Sequence, residues 1–223
     1  MNRSVQELLT TPTLFALAEH EIRHVVSFSG GKGSWAAGKD VASWVPHDQL
    51  TLLFSDTIIE DQDTYRLVIE GAANIYALSR PSGLIDRALS LPELSLTDPH
   101  CLERKLLLME MRADAMAAIP GLVWIADGRH PWEVYEDRRF IGNSHFDPCS
   151  LVLKRELINA WRNANCRPDS TVSYVGIDWT ERHRLDRMLP LVHQFGDAPL
   201  GDCVSSDAGE DGRFADRQSA QQA

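Results

Sequence analysis

The stretch His24-Val-Val-Ser-Phe-Ser-Gly-Gly-Lys-Gly-Ser34, running straight into Trp35-Ala-Ala-Gly-Lys-Asp-Val-Ala-Ser-Trp-Val45, leaves this chain few ways to fold. An apolar run of strand length meets a glycine-rich turn. The turn opens a helical pattern with apolar positions at Ala37, Val41, Trp44 and Val45. Strand, turn and helix in that order begin a β-α unit, and such units build parallel sheets.

The residue types of the turn suit an anion. A helix N-terminus presents unpaired backbone N–H groups and the positive end of the helix dipole, and a phosphate satisfies both. Gly30, Gly31 and Gly33 allow close approach and positive φ, Ser27, Ser29 and Ser34 supply hydroxyls, and Lys32 brings a cation. Three phosphate loops compete. A Walker loop requires G-x-x-x-x-G-K-[ST], which Lys32-Gly33 does not meet. A dinucleotide fingerprint G-x-G-x-x-G/A is matched by Gly31-Lys-Gly33-Ser-Trp-Ala36, with Asp56 at a plausible distance. The pyrophosphate loop S-G-G-x-[DE]-S is matched by Ser29-Gly-Gly-Lys-Gly-Ser34 except at the acidic position, Gly33.

Downstream, Gln49-Leu-Thr-Leu-Leu-Phe-Ser-Asp-Thr57 reads as a parallel strand covered on both faces. Asp56 and Thr57 at its end are placed to meet a ribose, an adenine edge or, with Glu60, a magnesium ion, and Asp61 and Asp63 open the next helix. Residues 79–120 read as a helical insertion whose stripe Leu102, Leu106, Met109, Ala113 and Met116 is expected in the core, with no chemistry assigned. Leu122–Ala126 is a third strand ending in Asp127-Gly128-Arg129-His130. A helix from Asp147 to Trp161 carries Cys149, Ser150, Lys154 and Arg155, with Lys154 a candidate phosphate or sulfate contact. Ser170–Asp178 is a fourth strand, followed by the candidate anion contacts Arg182 and Arg184.

The chain of 223 residues suits one domain, read as 1–203, with 204–223 a flexible polar tail. A net charge of -10 argues against a broad nucleic-acid surface. No apolar run reaches membrane-span length and the first residues lack an apolar signal core, so the expected compartment is the cytoplasm. The scattered Cys101, Cys149, Cys166 and Cys203 suggest neither a zinc ribbon nor a redox dithiol.

Taken together, Ser29–Ser34, Phe54-Ser-Asp-Thr57 with Glu60, Thr64 and Tyr65, Asp127-Gly-Arg129, Asp147–Arg155 and Gly176-Ile-Asp178 with Glu181 and Arg184 carry a resemblance. The chain resembles the adenine nucleotide alpha-hydrolase-like superfamily of PP-loop ATP pyrophosphatases, in its phosphoadenosine phosphosulfate reductase-like branch. The resemblance covers roughly residues 24–200. It implies a Rossmann-like (HUP-type) parallel sheet with helices on both faces, and ATP, with magnesium, bound across the strand ends. The loop would hold phosphates, Asp56 and Thr57 the nucleoside, and Lys32, Lys154 and Asp56 would serve catalysis. Asp127, Gly128, Arg129 and Arg155 would complete the nucleotide site; Cys149, Asp178, Arg182 and Arg184 would border an unknown acceptor.

Two chemistries follow from the resemblance: cleavage of ATP between the α and β phosphates with adenylyl transfer, possible in sulfur transfer, and reduction of a sulfonucleotide by a cysteine thiolate. The chain lacks the paired cysteines of iron–sulfur reductases, so no cluster is expected, and Asp202-Cys-Val204 only faintly echoes the C-terminal motif of cluster-free relatives. An NAD-dependent oxidoreductase and a non-catalytic nucleotide module stay open, as does pairing into a homodimer.

Overall fold

The computed structural model describes residues 22–94, 101–143 and 146–177. Its centre is a four-stranded sheet of order β3-β2-β1-β4, made of β1 (Arg23–Ser27), β2 (Leu50–Asp56), β3 (Leu122–Ala126) and β4 (Thr171–Val175). Every pairing is parallel, with Ser27 beside Leu53 on one side and beside Val175 on the other. The fold is therefore the expected α/β, Rossmann-like class with a parallel sheet, and all four strands deliver their C-terminal ends to one edge.

Period-two alternation assigns the faces. Val26, Phe28, Leu52 and Phe54 point into the larger core, which also holds Val41 of α1 (Lys32–Ala42), Val68 and Ile69 of α2 (Gln62–Ile75), Ile85 of α3 (Ser82–Leu89) and Met111 of α4 (Leu102–Ala118). Val25, Leu53, Val123 and Ile125 point the other way, onto Trp161. That tryptophan belongs to a helix, here α6, that runs over residues 148–165 after α5 (Pro131–Arg138). All seven residues of β2 are buried, as its unbroken apolar run predicts.

Two expectations need correction. In α4 the stripe Leu102, Leu106 and Met109 is exposed, at 63, 53 and 52%. The buried face is Arg104, Leu108, Met111 and Ala115. The helix carries two apolar stripes, and packing against β3 and α3 selects the one that includes an arginine. In α6 the turn Pro148–Ser150 passes into a π-helical segment, Leu151–Glu156, before regular α-helix resumes over Leu157–Asn165. The π segment replaces the regular i, i+4 relation assumed for Ser150 and Lys154. Ser55 of β2 donates to the Leu153 carbonyl at 2.7 Å, so the wide turn is pinned to the sheet.

Candidate functional site

The strand order reverses at β1: the chain moves from β1 outward to β2 and β3, then returns to place β4 on the other side. In open α/β sheets this switch point, at the carboxyl ends of the strands, forms the ligand crevice. The glycine-rich loop follows β1 there.

Within the loop, Gly30 has φ +74, a left-handed conformation that disfavours a side chain. A Cβ at Gly30 would also sit 2.9 Å from Val68 Cγ2 and 3.2 Å from the Thr64 carbonyl oxygen, so the loop rests directly on α2. Gly31 is the N-cap of α1 and offers no side chain to its N–H groups. The first helical bond is Trp35 N–H to the Gly31 carbonyl, at 2.9 Å. The N–H groups of Lys32, Gly33 and Ser34 precede that bond and have no partner within the helix. Ser34 holds the turn closed: its hydroxyl donates to the Gly31 carbonyl (3.0 Å), accepts the Ser29 N–H (3.1 Å) and lies 3.1 Å from Ser29 Oγ. Ser34 is buried and spent inside the loop, while Ser29 and Lys32 are exposed.

The end of β2 is built differently. Asp56 is buried at 2% exposure. Its Oδ1 accepts the Ile58 N–H (2.7 Å) and the Tyr65 hydroxyl (2.8 Å), and its Oδ2 accepts Trp124 Nε1–H (3.0 Å). Desolvation holds its carboxyl above the usual carboxylate range, against the pull of these donors. Burial first, and then the neighbouring Asp56 carboxylate, push the Tyr65 hydroxyl up in turn. Tyr65 and Trp124 stack with ring centroids 5.6 Å apart. Asp56 thus braces β2, α2 and β3 from inside, with both oxygens engaged by the protein and the side chain buried, instead of facing a ribose or magnesium as expected.

Beyond Asp56 the backbone is strained. Ile58 has φ +70, an outlier for a β-branched residue. Its N–H is held by Asp56, and its carbonyl accepts Arg104 Nε–H at 3.1 Å. Arg104 also donates to the carbonyls of Glu60 (2.5 Å) and Pro92, and its guanidinium lies 5.6 Å from the Tyr65 ring centroid. This arginine of the helical insertion is the positioning residue that sequence reasoning missed; an arginine on an apolar helix face is its only signal.

Thr57, Glu60 and Lys154 come together at the same edge. The Thr57 hydroxyl donates to Glu60 Oε1 (2.9 Å), and Lys154 Nζ reaches the same oxygen at 3.3 Å. Lys154 is 46% exposed, and it joins the π segment of α6 to the end of β2.

Other predicted residues are engaged elsewhere. Arg129 grips Asp127 through two bonds, of 2.5 and 3.0 Å, and Asp137 through a third of 2.8 Å, across a turn in which Gly128 has φ +95. His130 accepts the Glu133 N–H in the capping box of α5. Cys149 is partly buried on the first turn of α6, where burial and Asp147 outweigh Tyr135 and Lys154 and push its thiol up, the opposite of a nucleophilic thiolate. Arg155 is exposed beside Lys154. Ser27 accepts a hydrogen bond from Arg162 at 3.3 Å. Asp178, Arg182, Arg184 and Cys203 lie outside the described residues. A wide depression of about 720 Å³ over Trp132, Tyr135 and Phe140 involves none of the predicted residues.

Comparison with known proteins returns nothing: no family model, no curated protein and no solved structure matches the chain. The phosphate-loop resemblance rests on the residues quoted above. Among the described residues no three His, Cys, Asp or Glu side chains form a metal cage, and no helix is long and apolar enough to cross a membrane.

Proposed function

We propose that the chain binds a nucleotide through its phosphates at the N-terminus of α1 and acts on ATP by cleavage between the α and β phosphates, transferring the adenylyl group to an acceptor. The observation that carries this reading is the position of the loop. It stands at the switch point of a parallel sheet, with the leading N–H groups of α1 unbonded within the helix and Lys32 exposed beside them.

Charge that develops on the phosphates would be met by these N–H groups, Lys32 and, from the β2 end, Lys154. Lys154 would exchange Glu60 for phosphate, and the freed Glu60 carboxylate is the group at this edge suited to a magnesium ion carried by the nucleotide. Thr57 accompanies Glu60; Asp56 keeps its internal task. With Asp56 sealed, a dinucleotide reading loses its ribose contact. It also requires a small residue at Ala36 for helix–sheet packing, whereas Ala37 and Gly38 are the buried pair. A cysteine-based reductase would need Cys149 as a thiolate, against the direction its surroundings impose.

The test is thermal unfolding with ATP, phosphoadenosine phosphosulfate or NAD, each with magnesium. A ligand at about a hundred times its Kd adds roughly 2.7 kcal/mol, a shift of about 5 to 10 °C for a domain of this size. A shift with ATP that is lost in Lys32→Ala supports the reading. A shift with NAD alone, or none, removes it.

A further inference from the structure

Arg162, near the end of α6, is half-buried against the sheet, yet it meets no carboxylate among the described residues. It donates from one terminal nitrogen to Ser27 Oγ at 3.3 Å, a long bond, and its Nε–H is sealed from solvent with no partner among the described residues. The indole N–H of the adjacent Trp161 is likewise sealed and unpartnered, so both unmet groups on this turn are donors. A buried, uncompensated charge costs several kcal/mol, and natural proteins keep such groups paired. Burial lowers the pKa of this guanidinium, with Cys166 alone among the described residues acting the other way, which agrees with a cation awaiting a counter-charge.

Its place is informative. Ser27 is the last residue of β1, and it faces the same side as Val25 and Leu53, the side covered by α6. The glycine-rich loop leaves β1 for α1, on the opposite side, where Ala37 and Val41 join the larger core. The crevice at the switch point thus has a lip on each face of the sheet, the loop on one and Arg162 with Ser27 on the other.

We propose that Arg162 and Ser27 form a second oxyanion subsite, which takes a phosphate, sulfate or carboxylate group of the substrate while the loop on the opposite face holds the nucleotide phosphates. This deepens the nucleotide reading, since it places an anionic acceptor, or a second anionic group of the nucleotide, across β1 from the loop.

Inorganic sulfate, orthophosphate and acetate are titrated separately, by thermal unfolding, against the wild-type chain, Arg162→Met, Arg162→Lys, Ser27→Ala and Lys32→Ala. At least one anion should stabilise the wild type; which one does identifies the group. Arg162→Met should weaken that anion about tenfold or more, the loss of a charge-assisted hydrogen bond, while Lys32→Ala retains the response. In anion-free buffer Arg162→Met should unfold at the same temperature as the wild type or higher, because an apolar side chain replaces an unpaired buried charge. If that variant fails to fold, Ser27→Ala and Arg162→Lys carry the test, each with a weakened anion response. An anion response that survives in Arg162→Met but vanishes in Lys32→Ala overturns the subsite and leaves the loop reading intact. Retention of the Arg162-dependent response with no ATP shift sustains the subsite and removes the nucleotide reading. No response to any anion overturns the subsite.

Discussion

The ends of β1 and β2 lie side by side on one edge of the sheet, and they are finished in opposite ways. After β1 the chain spends one side chain, Ser34, on closing a turn and leaves the first N–H groups of α1 without helical partners. After β2 it seals a carboxylate beneath three donors, forces Ile58 into the left-handed region and straps the loop with Arg104. The first arrangement has donors to offer a ligand. The second is self-satisfied, and its stiffness fixes the height of α2, on which Gly30 of the open loop rests. A loop of glycines cannot hold its own shape, because glycine loses the most conformational freedom on ordering. The contrast teaches that rigidity at β2 lets β1 stay open.

The strongest way to break this arrangement is at Gly176, just beyond β4. A Cβ there would lie 2.3 Å from the Gly33 carbonyl oxygen and 2.6 Å from the Ser34 nitrogen. These are backbone atoms, which cannot swing aside. Gly176→Ala must therefore prise β4 from the start of α1, at a cost of about 3 kcal/mol. That corresponds to a fall of about 6 to 12 °C in Tm for a domain of this size. Urea unfolding that shows a change under about 0.5 kcal/mol would mean the loop is not wedged there.

Asp56 offers a smaller and more diagnostic break. In Asp56→Asn the amide oxygen can still serve Ile58 and Tyr65, but its NH2 faces the Trp124 N–H, donor against donor, at a cost of about 1 to 2 kcal/mol near neutral pH. The pH dependence carries the sign. Burial raises the Asp56 pKa above its unfolded value, so the native state takes up this proton at a higher pH than the unfolded chain does. The associated stability is complete below the ordinary carboxylate value and is lost as pH rises through the raised one. The substituted chain has no such proton, and the other acids cancel between the two proteins. The wild type's advantage should therefore widen from pH 7 to pH 4.5; a constant or shrinking gap would show that Asp56 is not desolvated.

These two sites also mark how far the sequence could be read. The strands, the parallel class of their sheet and the loop were legible because hydrophobic runs and glycines act locally, whereas the order of the strands was not. The direction of Asp56 was not, since an aspartate at a strand end faces solvent or core according to what waits inside. Its partners Tyr65 and Trp124 stand 9 and 68 residues away. The face of α4 was ambiguous for a similar reason: Leu102, Leu106 and Met109 are as apolar as Leu108, Met111 and Ala115, and only tertiary packing chooses. The π segment of α6 has no compositional mark, and Arg162 reads as any basic residue in a last helical turn.

The smallest effect on stability belongs to Gly33, where the sequence departs from the acidic position of the pyrophosphate loop. Among the described residues a Cβ at Gly33 would meet nothing nearer than the Gly176 carbonyl oxygen at 3.6 Å, an ordinary contact, so its described surroundings do not demand glycine there. The first turn of α1 contains no acidic residue. Gly33→Asp should raise stability by about 0.5 to 1 kcal/mol, through lower unfolded-state freedom and a favourable charge at the positive end of the dipole. Its value lies in what it does to binding. If the open loop takes ATP as its magnesium complex, a carboxylate at this position adds an oxygen ligand for the metal. Calorimetric titration should then show tighter binding of magnesium ATP relative to metal-free ATP. If the loop holds a bare anion, the new negative charge repels it, and both forms bind more weakly. A fall in both affinities, with stability raised as expected, would separate the shape of the loop from its assigned chemistry.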